Sequence, residues 1–60
     1  MRVRIEIRCD NEAFEPYAGT EVARILRQIA DEMQDDILPD TEQRLRDING
    51  NTVGTLKVQK

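Results

Sequence analysis

Glu42-Gln43-Arg44-Leu45-Arg46-Asp47-Ile48-Asn49-Gly50-Asn51-Thr52-Val53-Gly54-Thr55-Leu56-Lys57-Val58 is the stretch whose reading decides the fold. Apolar and polar residues alternate on both sides of Asn49-Gly50-Asn51, the pattern of two strands joined by a tight turn. Asn49-Gly50 suits a type I′ turn and Gly50-Asn51 a type II′ turn, because glycine and asparagine tolerate the positive φ those turns need. Face parity favours a two-residue loop. For Leu45 to share a face with Leu56 and Val58, directly paired residues must have an odd index sum. A three-residue loop at 49–51 would turn Leu45 to the other side. Gly54 falls on the inner face, where a missing side chain leaves room for the helix to approach closely.

Working outward, residues 2 to 9 alternate strictly, with Val3, Ile5, Ile7 and Cys9 on one face and Arg2, Arg4, Glu6 and Arg8 on the other. That is a strand buried on one side. Between this strand and the hairpin, Val22, Ile25, Leu26, Ile29, Ala30 and Met33 recur at helical spacing, opposite Arg24, Arg27, Gln28, Asp31 and Glu32. They predict one amphipathic helix of about 14 residues. Thr20 is its expected N-cap, and Glu21 meets the positive end of the dipole. Asp35 and Asp36 sit where cations would be favoured, so the helix should fray near Gln34, and Pro39 stops it. Ile37 and Leu38 are expected to tuck under the sheet edge. Residues 10 to 19 show no period. Asp10 and Asn11 end the strand, Pro16 biases Glu15 toward an extended backbone, and Phe14, Tyr17 or both should fold back over the open end of the core.

The fold class is therefore α+β, in the order β-α-β-β, with one helix on one face of a three-stranded sheet. Placing the last strand in the centre, order 1-3-2, makes every pairing antiparallel. Setting the second strand beside the first would require one parallel pair.

Sixty residues make a single domain over 1–60. No apolar run approaches the roughly 18 residues that span a bilayer, and the charged, alternating start is unlike a signal peptide. A single cysteine and no export signal lead to the expectation of a reducing cytoplasm. A chain this small has a thin core, and without disulfides or a metal, self-association as a dimer is the expected supplement.

Histidine is absent, so soft-ligand metal sites and imidazole acid–base chemistry are not expected. Cys9 has no histidine to activate it; by parity it is a small core residue, although its place at the strand end leaves it open to partial access. Asp31-Glu32 and Asp35-Asp36 are carboxylate pairs that could hold a hard cation, but they read as a solvated run. Asp47 to Asn51 superficially resembles a calcium loop, yet it lacks the further oxygen ligands and the closing glutamate. No glycine-rich phosphate cradle is present. The expectation is no enzyme, no cofactor and no metal.

Charge is where the sequence is most informative. The whole chain carries a net −3, but the register sorts it. Arg2, Arg4, Arg8, Arg44, Arg46 and Lys57 project from the sheet face away from the helix, with Glu6 and Glu42, for a net +4. Residues 10 to 40 hold nine acids against Arg24 and Arg27, a net −7. Such polarisation acts on partner choice and association rate more than on fold. The basic face can be a solvated surface, a site for another protein's carboxylates, or a phosphate-contacting surface. It has no aromatic side chain to stack on bases, and the acidic helix opposes polyanions, so nucleic acid is the weaker alternative.

Three blocks, Asp10-Asn11-Glu12-Ala13-Phe14, then Glu21-Val22-Ala23-Arg24-Ile25-Leu26-Arg27, then Leu45-Arg46-Asp47-Ile48-Asn49-Gly50-Asn51-Thr52-Val53-Gly54, resemble a family of short proteins encoded by bacteriophages and prophages. Relatives tend to carry a glycine shortly after the helix, where this chain has Gln34-Asp35-Asp36. The resemblance implies a setting rather than a mechanism: a small accessory protein that binds a macromolecule. The expected function is a non-enzymatic protein-binding module working through the basic face. A nucleic-acid-associated regulator and a structural component of an assembly are the alternatives, and no membrane partner is expected.

Overall fold

The computed structural model describes residues 1–33 and 40–60. Strand β1 (Arg2–Ile7) leads through a single 3₁₀ turn (Glu12–Phe14) to helix α1 (Ala18–Glu32), and strands β2 (Glu42–Arg46) and β3 (Thr52–Gln59) follow. The sheet order is β1-β3-β2 and both pairings are antiparallel, as the alternation and turn chemistry predict. Expectations for residues 34–39, the fraying at Gln34 and the placing of Ile37 and Leu38, lie outside the described residues.

Register places Val3 opposite Val58, Ile5 opposite Leu56 and Ile7 opposite Gly54, so the apolar sides of β1 and β3 coincide. On the other side of β3, Gln43 meets Leu56 and Leu45 meets Gly54. The core under α1 consists of Phe14, Ile25, Ile29, Leu45, Val53, Leu56 and Val58. Coverage is uneven. Val58 and Leu56 on the central strand are 2% and 3% exposed, whereas Val3 and Ile5 on β1 remain 41% and 42% exposed. The helix thus sits over β3 and β2 and leaves the inner side of β1 half bare.

The hairpin reaches the expected parity by a different route. Its loop has three residues, Ile48-Asn49-Gly50, closed by Asp47 N donating to the Asn51 carbonyl (2.9 Å) and Gly50 N donating to the Asp47 carbonyl (3.0 Å). A negative φ at Asn49 excludes a type I′ turn at Asn49-Gly50, and the Asp47–Asn51 pairing leaves Asn51 outside the loop, so no type II′ turn forms at Gly50-Asn51; Gly50 alone in the loop has positive φ (87°). The pairing of Arg46 with Thr52 therefore has an even index sum. A bulge at Val53 then inserts one residue, Leu45 pairs with Gly54, and the odd sum is restored for the rest of the ladder. Val53 itself is 4% exposed and joins the core. Parity was dictated by burial; turn type was not.

Several local expectations are corrected. The helix begins at Ala18 with Tyr17 as an N-cap that makes no side-chain bond, so Thr20 is inside the first turn rather than capping it. Leu26, assigned to the apolar stripe, is 42% exposed and lies outside the core that Ile25 and Ile29 join. Strand β1 ends at Ile7, two residues early, and Cys9 is exposed rather than in the core. Of the two rings, Phe14 alone is buried; Tyr17 is exposed. The 3₁₀ turn that delivers Phe14 is capped by Asn11, whose Oδ1 accepts from Ala13 N at 2.9 Å. Glu15 is extended (φ −103°, ψ 145°) as expected ahead of Pro16, and the peptide bond between them is cis.

Candidate binding surface

Sheet geometry positions the basic residues. Because directly opposed residues point the same way, Arg2 faces Gln59, Arg4 faces Lys57, and Lys57 in turn faces Glu42, all on the side away from α1. The neighbouring row is Glu6, Thr55 and Arg44. Arg8 lies just beyond β1, its Nη2 donating to the Thr52 carbonyl at 3.3 Å, and Arg46 stands at the bulge, its Nη1 donating to the Gly50 carbonyl at 3.5 Å. Arg2, Arg4, Arg44 and Lys57 thus share the outer face, while Arg8 and Arg46 flank Thr52 at its hairpin end. All six are exposed. Among the described residues none of them makes an ion pair within 4 Å; the ion pair that is formed joins Arg24 to Glu21.

Arg4 directly opposite Lys57 is an arrangement that sheet stability does not favour, since like charges in register are destabilising. Glu42 on the far side of Lys57 offsets part of that cost. The uncancelled guanidinium groups present planar forks suited to carboxylates.

Behind the hairpin end of the sheet, two buried carboxylates hold the frame. Glu21 (5% exposed) accepts from Arg24 Nε at 2.8 Å and Nη2 at 2.9 Å, and from Ile48 N at 2.8 Å. Arg24 Nη2 also donates to the Arg46 carbonyl at 3.2 Å, which ties α1 to the end of β2. Asp47 (5% exposed) accepts through Oδ1 from Asn49 N and Asn51 N, both at 2.9 Å, and through Oδ2 from Asn11 Nδ2 at 2.7 Å and Asn51 Nδ2 at 3.3 Å. These donors occupy both oxygens, so the Asp47 loop is knit by N–H groups rather than arranged around a cation. Among the described residues no group of three or more cysteine and carboxylate side chains converges on a common point. The role of Glu21 and Arg24 was missed in the sequence, where they read as a dipole charge and a solvated cation; their i,i+3 spacing was the available signal.

The Arg24 hydrogen bonds hold the Glu21 carboxyl below its ordinary pKa, against the upward push of burial, with Ile48 N assisting. For Asp47, burial pushes the pKa up, but the bonds from Asn51, Asn11 and Asn49 together outweigh it and the net displacement is downward. A folded-state pKa below the unfolded one means stability that is complete above the ordinary carboxylate range and lost as pH falls through it. The melting temperature is therefore expected to drop on acidification through that range. Glu21→Ala should cost about 1–3 kcal/mol at neutral pH, since it leaves Ile48 N–H and Arg24 without their acceptor, and should flatten the acid dependence. Thermal melts of both proteins across pH 7 to 3 check this; parallel curves would contradict it.

Among the described residues no helix is long and apolar enough to cross a membrane. No protein-family model matches the chain, and neither does any curated protein or solved structure compared with it.

Proposed function

We propose that this chain is a non-enzymatic protein-binding module, a small accessory protein of phage or prophage type acting in the cytoplasm, whose outer sheet face recognises an acidic surface of another protein. One observation carries the reading: six exposed cations gather on and beside one sheet face, two of them in direct like-charge register, with no ion-pair partner among the described residues. A solvated face serving only solubility gains nothing from opposing Arg4 with Lys57, whereas an acidic partner turns that cost into attraction. The resemblance in the three sequence blocks supports the same setting. Phosphate contact through this face is the second reading, supported by the same cations but opposed by the net −7 of residues 10 to 40.

The test uses Arg44→Glu combined with Lys57→Glu, both on the outer face and away from the open edge of β1. Proteins captured from a bacterial lysate by the unmodified chain should elute with salt, and the identified partner should bind the double variant at least about tenfold more weakly while circular dichroism stays unchanged. An unaltered capture profile contradicts the reading. Salt-sensitive retention on DNA, with no protein captured, would transfer the face to the phosphate-binding reading.

A further inference from the structure

Backbone phase singles out one edge of the sheet. Arg8 N donates to the Val53 carbonyl at 2.7 Å, and Val58 N donates to the Thr41 carbonyl at 2.9 Å. In an antiparallel ladder these bonds alternate, so residues 2, 4, 6 and 8 turn their N–H and C=O groups toward β3. Val3, Ile5 and Ile7 turn theirs outward. Among the described residues the contact made to those outward groups is the Cys9 thiol near the Ile7 carbonyl, at 3.8 Å. Two of the three, Val3 and Ile5, carry apolar side chains that α1 leaves half bare, while Ile7 packs against the core; Leu26 on α1 is half-exposed as well. The other edge is guarded: on β2 the outward backbone belongs to Glu42, Arg44 and Arg46, and the Arg46 carbonyl already accepts from Arg24.

We propose that a second copy of this chain docks antiparallel along β1, with Ile5 on the two-fold axis. An edge pairing with itself must match outward groups with outward groups, which requires odd residues opposite odd residues. Centring on Ile5 sets Val3 against Ile7 of the second copy and Ile5 against its own counterpart, all hydrogen-bonded pairs on the helix side. It also sets Arg4 against Glu6 of the second copy, twice, in the non-hydrogen-bonded positions where side chains come closest. Centring on Arg4 would place two guanidinium groups together on the axis, and centring on Glu6 two carboxylates. At the ends, Arg2 stands opposite Arg8 of the second copy, beyond β1, where Arg8 is drawn aside to the Thr52 carbonyl. The product is a six-stranded sheet with both helices on one side and two basic faces joined on the other. This inference stands whether or not those faces bind protein.

Charge exchange tests it. The unmodified protein should sediment at twice the 6.9 kDa chain mass at high concentration and dissociate on dilution. Arg4→Glu alone brings four carboxylates together, and Glu6→Arg alone four guanidinium groups, so each should raise the dimer dissociation constant about tenfold or more. An equimolar mixture of the two single variants should form a heterodimer, because Glu at position 4 then meets Arg at position 6 across the axis, and the doubly exchanged chain should dimerise again. Recovery in the mixture also demonstrates that the single variants are folded. A monomer at every concentration, a dimer indifferent to the single changes, or single variants that stay apart when mixed would each overturn the proposal.

Discussion

Gly54→Ala is expected to separate β1 from β3 and leave most molecules unfolded. An added Cβ at this position would land on the Glu6 carbonyl oxygen, with the Glu6 carbonyl carbon and Ile7 Cα also within about 3 Å. Backbone cannot rotate aside as a side chain would, so relief requires moving the strand, at a cost of about 3 kcal/mol or more. The close approach anticipated for this glycine therefore involves the neighbouring strand rather than the helix. Gly19 supplies the contrast. It lies in α1 with nothing within 4 Å of a Cβ, and Gly19→Ala should raise stability by about 0.5–1 kcal/mol. Urea denaturation followed by circular dichroism checks both; a Gly54→Ala protein with an unshifted midpoint would contradict the close approach of β1 and β3 at this glycine.

Phe14→Ala should be nearly as damaging. The ring is 3% exposed and belongs to the core shared with Ile25, Ile29, Leu45, Val53, Leu56 and Val58. Truncating a buried phenylalanine costs about 3–5 kcal/mol, and a domain of this length has about 3–9 kcal/mol in all. A lowered melting temperature with a shallow, poorly cooperative transition is expected. Tyr17→Ala, removing a ring that is 75% exposed, should move the midpoint by less than about 0.5 kcal/mol. Equal effects from the two changes would mean that the connection between β1 and α1 folds differently.

What could be read in advance was what two periodicities determine. Strict alternation over residues 2 to 9 and around the hairpin located the strands and their faces, and 3.6-residue spacing located the helix, because burial on one side enforces those patterns whatever the turns do. The outer face followed from the same parity, which is why Arg2, Arg4, Arg44 and Lys57 lie together. Turn type was not legible, since a three-residue loop plus a bulge and a two-residue loop satisfy the same parity. The Glu21–Ile48 and Asp47–Asn11 bonds were hidden for another reason. They join residues 27 and 36 positions apart, and nothing local distinguishes a buried, paired carboxylate from a solvated one. Likewise, that α1 would favour β2 and β3 over β1 depends on how helix and sheet dock, which side-chain period does not specify.

Every proposal about recognition and pairing depends on the ladder that sends these cations outward and the odd-numbered backbone groups of β1 to the open edge. The most direct measurement is a set of interstrand Hα–Hα nuclear Overhauser contacts in the isotopically labelled protein. The register requires contacts between Val3 and Val58, Ile5 and Leu56, Glu42 and Lys57, and Arg44 and Thr55, the non-hydrogen-bonded pairs of the two ladders. Contacts displaced by one residue on either side of β3 would turn the arginines under the helix and contradict the account.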